Sequence, residues 1–375
     1  MNPFIIKDYA GPAYFCNRTE ETERIENSIK NERNLTISSI RKMGKTGLIK
    51  HVMFGLDKSG KYETIYLDIY DTQNIGDFIN KFGTALLSKT ESFSRKISRM
   101  ADTFIKSIRP KISYDPLTGA PSFSFFFDPE TKGEKTLQEL FAFLGSISQE
   151  KQFVIAIDEF QQITEYPETN LEAALRSNIS NLHNVQFIFS GSNKHLLASI
   201  FSSAKRPFYQ STELMNLEEI SSEAYGKFIA DKFKQLKIRY DKEAIQMILR
   251  WTKLHTYYVQ YTCNKIAGNE IEYLDEEEVK KIFLQILTEY EPFYYEYRNM
   301  LTLHQWKLVT ALARESGISQ VTSGVFMQKY GLSTASTIRR GIKALLEKEV
   351  IYNKAGSYYV YDVFFSNWLE WKYAI

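Results

Sequence analysis

The segment NLTISSIRKMGKTGLIKHVMFGL, residues 34–56, contains three successive patterns. Residues 34–38 form a short β-prone run, residues 39–47 form a basic turn that contains glycine, and residues 48–56 have the apolar spacing of a helix. These patterns predict a strand, a loop and a helix. A strand and a helix joined by such a loop are typical of a site that holds phosphate groups.

The loop of this segment matches the pattern Gly-x-x-x-x-Gly-Lys-Ser/Thr, except that Ser39 replaces the first glycine. Gly44 accepts backbone angles that turn N–H groups towards phosphate, Lys45 can neutralise the β and γ oxygens, and Thr46 offers a hydroxyl to Mg²⁺. We therefore predict that ATP is bound by Ser39, Ile40, Arg41, Lys42, Met43, Gly44, Lys45, Thr46 and Gly47. The alternative is a chance Gly-Lys-Thr in a basic surface loop.

A second segment supplies the acidic half of such a site. Residues 153–157 (FVIAI) are a continuous apolar run, as expected for a buried parallel strand, and Asp158 and Glu159 follow at once. Carboxylates beside an apolar strand are costly to bury without a cation, which Mg²⁺ would provide. Asp158 is predicted to hold Mg²⁺ with Thr46, directly or through water, and Glu159 to take a proton from the attacking water. The alternative is an ordinary acidic loop after a core strand.

A third apolar strand, residues 185–189, ends in Ser190-Gly-Ser-Asn193. Polar side chains at the end of this strand can orient the attacking water or contact the γ-phosphate. Ser192 and Asn193 are therefore candidate catalytic residues. A plain turn rich in Ser, Gly and Asn explains the same residues equally well.

The alternation of strands and helices up to Leu217 predicts an α/β fold: the parallel sheet of a P-loop NTPase with helices on both faces. An inserted β-hairpin is expected near residues 110–130. An all-helical lid is expected next, with helices at 221–236, 241–254, 257–267 and 275–290. Helices followed by two short strands then predict a winged helix-turn-helix. The expected domains are 1–218, 219–298 and 299–375.

Composition limits the class of protein. The 375 residues are 43% hydrophobic with a formal net charge of +2, which fits a folded and nearly neutral molecule. Cys16 and Cys263 are far apart and form no metal-binding pair, so a reducing compartment is expected. The sequence has no secretory signal pattern and no run of about 18 apolar residues, and we expect a cytoplasmic protein without membrane contact.

Together these segments resemble the archaeal-type P-loop ATPases of the AAA+/STAND grouping, which carry a C-terminal winged helix. The similarity lies in YFCNRTEETE at 14–23, the loop at 39–46, IAIDEFQ at 155–161, FSGS at 189–192 and YYVYDVFFSNWL at 358–369. The chain departs from the family pattern at Asn17, where glycine is usual, and it lacks the Gly-x-Pro of the family's lid near His255. The resemblance implies a nucleotide-dependent switch.

The resemblance also implies roles for single residues. Phe15 and Arg18 are expected near the adenine. Arg206 stands where the family often carries an arginine finger that reaches the γ-phosphate of a neighbouring subunit, which implies self-association; a surface arginine in a basic turn is the alternative. His255 is a candidate for the sensing role of the lid, although a lone histidine is more often structural.

The predicted winged helix has a candidate DNA-binding face. Residues 301–375 contain nine Lys or Arg and five Asp or Glu, a net charge of +4. On the helix at 334–348, Ile338, Ile342, Leu345 and Leu346 are predicted to face inward. Double-stranded DNA would then be contacted by the outward residues Ser336, Arg339, Arg340 and Lys343, and by Lys354 in the wing. Solvated cations on a helix that docks a protein are the alternative.

Three functions follow from these patterns. The first is an ATP-binding switch that hydrolyses ATP slowly and couples it to a winged helix on DNA or on a protein partner. The second is a DNA-binding regulator whose nucleotide site is vestigial or structural, which the missing first glycine favours. The third is a protein-interaction switch that does not bind nucleic acid.

Overall fold

The computed structural model describes residues 2–90, 111–114, 121–124, 133–269 and 271–373. These residues form two compact units, one of residues 8–218 and one of residues 1–7 together with 219–375. The division of the chain into three domains remains a proposal from the sequence.

The unit of residues 8–218 is built on a parallel sheet. Its strands are β1 (Leu35–Ser38), β2 (Tyr62–Asp68), β3 (Lys111–Tyr114), β4 (Pro121–Ser124), β5 (Gln152–Asp158), β6 (Val185–Gly191) and β7 (Glu213–Asn216). Five of them form the sheet in the order β2-β5-β6-β1-β7, with every neighbouring pair parallel. Strands β3 and β4 pair antiparallel where the hairpin was predicted, and residues 115–120 and 125–132 of that region lie outside the described residues.

The helices of this unit are α1 (Thr19–Lys30), α2 (Lys45–Ser59), α3 (Ile75–Thr90), α4 (Gly133–Ile147), α5 (Leu171–Ser180) and α6 (Lys194–Ser202). Short 3₁₀ helices span Pro12–Tyr14 and Phe160–Glu165. One apolar core joins α1 and α2 to the sheet, and a second joins α3 to α6 to its other face. The prediction of helices on both faces is therefore confirmed.

The central strands explain the apolar runs in the sequence. Every residue of β6 is buried, and so is every residue of β5 after Gln152. Alternate side chains enter opposite cores: Phe153 and Ile155 lie in one, and Val154 lies in the other. A parallel strand covered on both faces needs apolar residues at successive positions, so the runs contain no polar alternation.

The second unit is mainly helical. Its helices are α7 (Ser222–Gln235), α8 (Lys242–Trp251), α9 (Thr256–Gly268), α10 (Glu276–Met300), α11 (Leu303–Arg314), α12 (Gly324–Lys329), α13 (Ala335–Glu347) and α14 (Val363–Lys372). Its strands are β8 (Arg239–Tyr240), β9 (Tyr273–Leu274), β10 (Ile351–Lys354) and β11 (Ser357–Val360). Strands β10 and β11 pair antiparallel after α11 to α13, and Ile318 bridges to Tyr358, which confirms the winged helix.

Three features of this unit differ from the sequence prediction. Strands β8 and β9 pair in parallel within the region that was expected to be purely helical. Helix α10 continues ten residues beyond the predicted end at Tyr290 and contains Pro292. Helix α14 was not predicted, because residues 363–369 are all buried and therefore show no one-sided helical pattern.

Both cysteines, Cys16 and Cys263, are free and buried. Burial raises the pKa of the Cys16 thiol to about 12, so the thiol stays protonated near neutral pH. None of the helices in the described ranges is long and apolar enough to cross a membrane.

Candidate functional site

The loop between β1 and α2 has the backbone shape that phosphate binding requires. Lys42 has a φ of 64° and Gly44 a φ of 93°, both in the left-handed region. Helix α2 begins at Lys45 immediately after Gly44. The first N–H groups of α2 have no partner within the helix, and together with the helix dipole they form a site for an anion.

Lys45 is buried close to the carboxylates of Asp158 and Glu159. Its side chain is only 6% exposed. Burial lowers the pKa of the Lys45 ammonium, while the negative charges of Asp158 and Glu159 act in the opposite direction. A buried cation at the start of a helix, beside an acidic strand end, is placed to receive a phosphate oxygen.

The phosphate loop and the acidic end of β5 meet at Asp158. Thr46 Oγ1 donates a hydrogen bond to Asp158 Oδ2 at 2.8 Å. The tertiary structure thus brings together the two segments, 112 residues apart, that the sequence assigned to one site.

Two further side chains hold Asp158. Ser190 Oγ donates to Oδ1 at 2.6 Å, and the Tyr66 hydroxyl donates to Oδ2 at 2.7 Å. Burial by itself would raise the pKa of Asp158, but these hydrogen bonds and the nearby Lys45 charge outweigh it, and the pKa lies below its ordinary value. Neither contact was predicted from the sequence. Ser190 lies near the end of β6 and Tyr66 lies on β2, and both reach Asp158 because these two strands pair with β5.

Glu159 is fixed by a separate set of donors. Its Oε2 accepts hydrogen bonds from Gln161 Nε2 at 2.5 Å, from Ser192 Oγ at 2.8 Å and from the Ser192 backbone N–H at 3.2 Å. Glu159 itself has a φ of 55°, an unusual value for a residue other than glycine. Ser192, predicted to orient the attacking water or contact the γ-phosphate, thus donates to the proposed base, and neither this contact nor that of Gln161 was predicted.

Ser192 also links Glu159 to the phosphate loop. Arg41 Nε donates to Ser192 Oγ at 3.3 Å. Arg41 and Lys42 are exposed, whereas Met43 is buried and Ser39 Oγ donates to the carbonyl of Ile40. Arg41 and Lys42 are therefore the loop cations that solvent reaches, whereas Lys45 is buried.

The residues expected near the adenine lie beside the phosphate loop. Arg18 is buried and donates to Glu21 at 2.6 Å and to the Met43 carbonyl at 3.2 Å, so its guanidinium braces the loop. Phe15 stacks on His51 with ring centroids 4.1 Å apart. A Cβ added at Gly47 would lie 3.9 Å from the Phe15 ring, which places this aromatic pair next to the first turn of α2.

The remaining predicted residues have structural partners. Asn193 caps α6 by accepting from the Leu196 N–H at 3.1 Å. Arg206, the candidate arginine finger, forms an ion pair with Glu172 of the same compact unit. Its guanidinium therefore already has a partner within the chain. His255 precedes α9 and is buried.

The chain superposes on solved structures of other proteins over nearly its whole length. A Walker-type ATPase of Pyrococcus abyssi superposes with a TM-score of 0.69 at 16% identity, over 98% of this chain and 99% of that one. The ORC2 protein of Aeropyrum pernix, solved with ADPNP and ADP, superposes with a TM-score of 0.56 at 13% identity, over 100% of this chain and 98% of that one. The chain has the fold of archaeal Walker-type ATPases.

A family model described as a probable winged helix domain matches residues 292–371 of the chain. No curated protein matches the sequence. The comparisons thus agree with the P-loop fold and the C-terminal winged helix that the sequence predicted.

The winged helix of this Walker-type fold presents the predicted cations on α13. Ile338, Ile342 and Leu345 are buried, whereas Leu346, predicted to face inward, is only partly buried. Exposed positions on the same helix are Ser336, Arg339, Arg340 and Lys343. In the wing, Lys354 donates to Glu219 at 2.7 Å, so this cation is already paired.

The phosphate site suits Mg²⁺ rather than a metal held by protein alone. Thr46 and Asp158 offer oxygen atoms, the ligands that Mg²⁺ prefers. Among the described residues there is no group of three or more His, Cys, Asp and Glu side chains that could hold a metal.

Proposed function

We propose that the chain is an ATP-dependent switch that binds Mg·ATP between the phosphate loop and Asp158 and hydrolyses it slowly. The observation that carries this proposal is the 2.8 Å hydrogen bond from Thr46 to Asp158, beside the buried ammonium of Lys45. It supports the proposal because a side chain suited to phosphate lies close to two oxygen atoms suited to Mg²⁺. The nucleotides in the Aeropyrum pernix ORC2 structures lend support.

Each residue of the pocket has a defined task in this proposal. The N–H groups of the loop at residues 39–47 bind the phosphates, and Lys45 neutralises their oxygens. Bound Mg²⁺ supplies positive charge to the β and γ phosphates. Thr46 and Asp158 orient the metal, and Glu159 accepts the proton of the attacking water.

Slow hydrolysis is expected because Arg206, the candidate arginine finger, is paired with Glu172. Turnover would stay slow until an arginine arrives from a second subunit. Glu159 Oε2 accepts hydrogen bonds from Gln161 and Ser192, which hold the proposed base in place. Ser192 and Asn193 remain candidates for orienting that water, although Asn193 also caps α6.

ATP binding by Lys45→Ala tests the proposal most directly. Loss of the ammonium is expected to weaken ATP binding by about 10- to 100-fold, because a charge-assisted contact in a buried site is lost. Isothermal titration with ATP measures the affinity. Lys58→Ala, on the exposed last turn of the same helix, is the matched control and should bind as the wild type does. Equal affinity in Lys45→Ala would refute the phosphate assignment.

Glu159→Gln separates binding from turnover in the same assay. The amide keeps the shape of the side chain but cannot accept a proton, so ATP affinity should be retained and phosphate release lost.

Self-association through Arg206 is a further part of the proposal. It requires Arg206 to leave Glu172, and ATP-dependent assembly that disappears in Arg206→Ala would support it.

The winged helix is proposed to be the output of the switch, on double-stranded DNA or on a protein. The exposed cations of α13 favour DNA. The alternative, a DNA-binding regulator with a vestigial or structural nucleotide site, predicts DNA affinity that falls steeply with salt and ignores ATP. A filter-binding assay over a salt series, with and without ATP, distinguishes the two.

A protein-interaction switch would retain its activity when Arg339 and Arg340 are both replaced by Glu.

A further inference from the structure

Among the described residues, four groups donate hydrogen bonds to the carboxylate of Asp158. Oδ1 accepts from Ser190 Oγ at 2.6 Å and from the Glu159 backbone N–H at 3.0 Å. Oδ2 accepts from Thr46 Oγ1 at 2.8 Å and from the Tyr66 hydroxyl at 2.7 Å. An ionised carboxylate has about four lone-pair positions, so these donors use its whole accepting capacity.

Tyr66 comes from outside the segments that form the phosphate site. It lies on β2, opposite Ala156 of β5, and its ring packs at the margin of a core with the Lys50 ammonium 4.8 Å from its centroid. Phenylalanine would fill the same space and keep the same contact with Lys50. The hydroxyl is therefore not needed for packing. In the site it donates the hydrogen bond to Asp158 and also lies close to the Thr46 side chain.

Magnesium competes for the same oxygen. Mg²⁺ keeps several of its waters when it binds ATP, and these waters donate hydrogen bonds to nearby carboxylates. Oδ2 is the oxygen next to Thr46, the hydroxyl expected to bind the metal. Thr46 would hold Mg²⁺ through its oxygen, so its hydrogen could stay on Asp158. Tyr66 would then be the donor to Oδ2 that a magnesium-bound water displaces.

We propose that Tyr66 is a positioning residue that weakens magnesium binding to the nucleotide complex by occupying Asp158 Oδ2. Nucleotide binding and metal binding then become separable steps, because the metal arrives only when the hydroxyl releases its acceptor. Ser190, Thr46 and the Glu159 N–H still hold Asp158 when that hydroxyl is absent. This inference rests on the proposed function, since it assumes that ATP binds at the phosphate loop.

Magnesium dependence of nucleotide affinity in Tyr66→Phe tests the inference. The probe is methylanthraniloyl-ATP, whose fluorescence reports binding in EDTA and at a series of MgCl₂ concentrations. Tyr66→Phe should bind the probe in EDTA as the wild type does. Its magnesium midpoint should fall by about three- to tenfold, the effect of removing one competing hydrogen bond to a charged acceptor. Tyr62→Phe, at the start of the same strand, is the matched control and should leave the midpoint unchanged.

The possible outcomes separate the two proposals. A midpoint that stays the same or rises in Tyr66→Phe, or an affinity that ignores magnesium, overturns this inference and leaves ATP binding intact. A wild-type protein that binds no probe at any magnesium concentration overturns the proposed function together with the inference. Tyr66→Leu also lacks the hydroxyl, and it provides the same test if Tyr66→Phe does not fold.

Discussion

Gly191, the last residue of β6, lies against the side chain that holds the proposed base. A Cβ atom at Gly191 would lie only 2.0 Å from Gln161 Oε1. The absence of a side chain therefore allows the Gln161 amide to reach Glu159. The overlap involves the end of a flexible side chain, so a larger residue would move Gln161 rather than the backbone of the strand.

Gly191→Ala is expected to displace the Gln161 amide and to leave Glu159 misplaced. Hydrolysis should fall by about 10- to 100-fold, because a shift of about 1 Å in a reacting group has effects of this size. ATP affinity and the melting temperature should stay close to those of the wild type. Phosphate release at saturating ATP measures the loss.

The control for this change is Gly55→Ala on α2, where an added Cβ meets nothing within 4 Å. It should hydrolyse ATP as the wild type does. Normal hydrolysis in Gly191→Ala itself would show that Gln161 does not position the base.

At the scale of elements, a capping box separates the long helix α10 from the winged helix. The Thr302 side chain accepts from the Gln305 N–H at 3.3 Å, and the Gln305 side chain accepts from the Thr302 N–H at 3.0 Å. Both N–H groups lie at a helix start, where no partner within the helix exists. The box therefore defines where α11 begins, at Leu303, two residues after Leu301 caps the end of α10.

Thr302→Ala is expected to destabilise this part of the chain by about 0.5–2 kcal/mol, the usual effect of losing a helix cap. Urea unfolding followed by circular dichroism measures the change. Thr288→Ala replaces an exposed threonine in the middle of α10 and should not lower stability, because alanine favours helix. Equal stability of the Thr302 variant and the wild type would argue against the cap.

Elements with a clear one-sided pattern were predictable to within a few residues. Helix α13 was expected at 334–348 and spans Ala335–Glu347, and β5 was expected at 153–157 and spans Gln152–Asp158. Helix α10 was predicted too short: its buried residues continue to Tyr294 across Pro292. Burial of that face outweighs the hydrogen bond that a proline removes.

At the scale of the molecule, the proposed nucleotide site and the cations of α13 belong to different compact units. Changes on α13 should therefore leave the nucleotide pocket intact. Any effect of such changes on DNA binding then reports on the winged helix alone.

Replacement of both Arg339 and Arg340 by Glu is expected to reduce affinity for double-stranded DNA by at least about tenfold. The slope of log affinity against log salt should fall by about two, one for each lost phosphate contact. ATP affinity should not change. The matched control reverses two exposed lysines of α10, Lys280 and Lys281, in the same unit. An equal loss in that control would indicate a general charge effect rather than a binding face on α13.

The local sequence was sufficient to predict a phosphate loop on a strand and helix, an apolar strand that ends in carboxylates, and a winged helix near the C-terminus. These features depend on neighbouring residues, through backbone freedom at Gly44 and apolar periodicity. The contacts of Tyr66 with Asp158 and of Gln161 with Gly191 were not predictable in this way. They depend on which strands lie side by side, and strand order arises from long-range packing that no short pattern in the chain encodes.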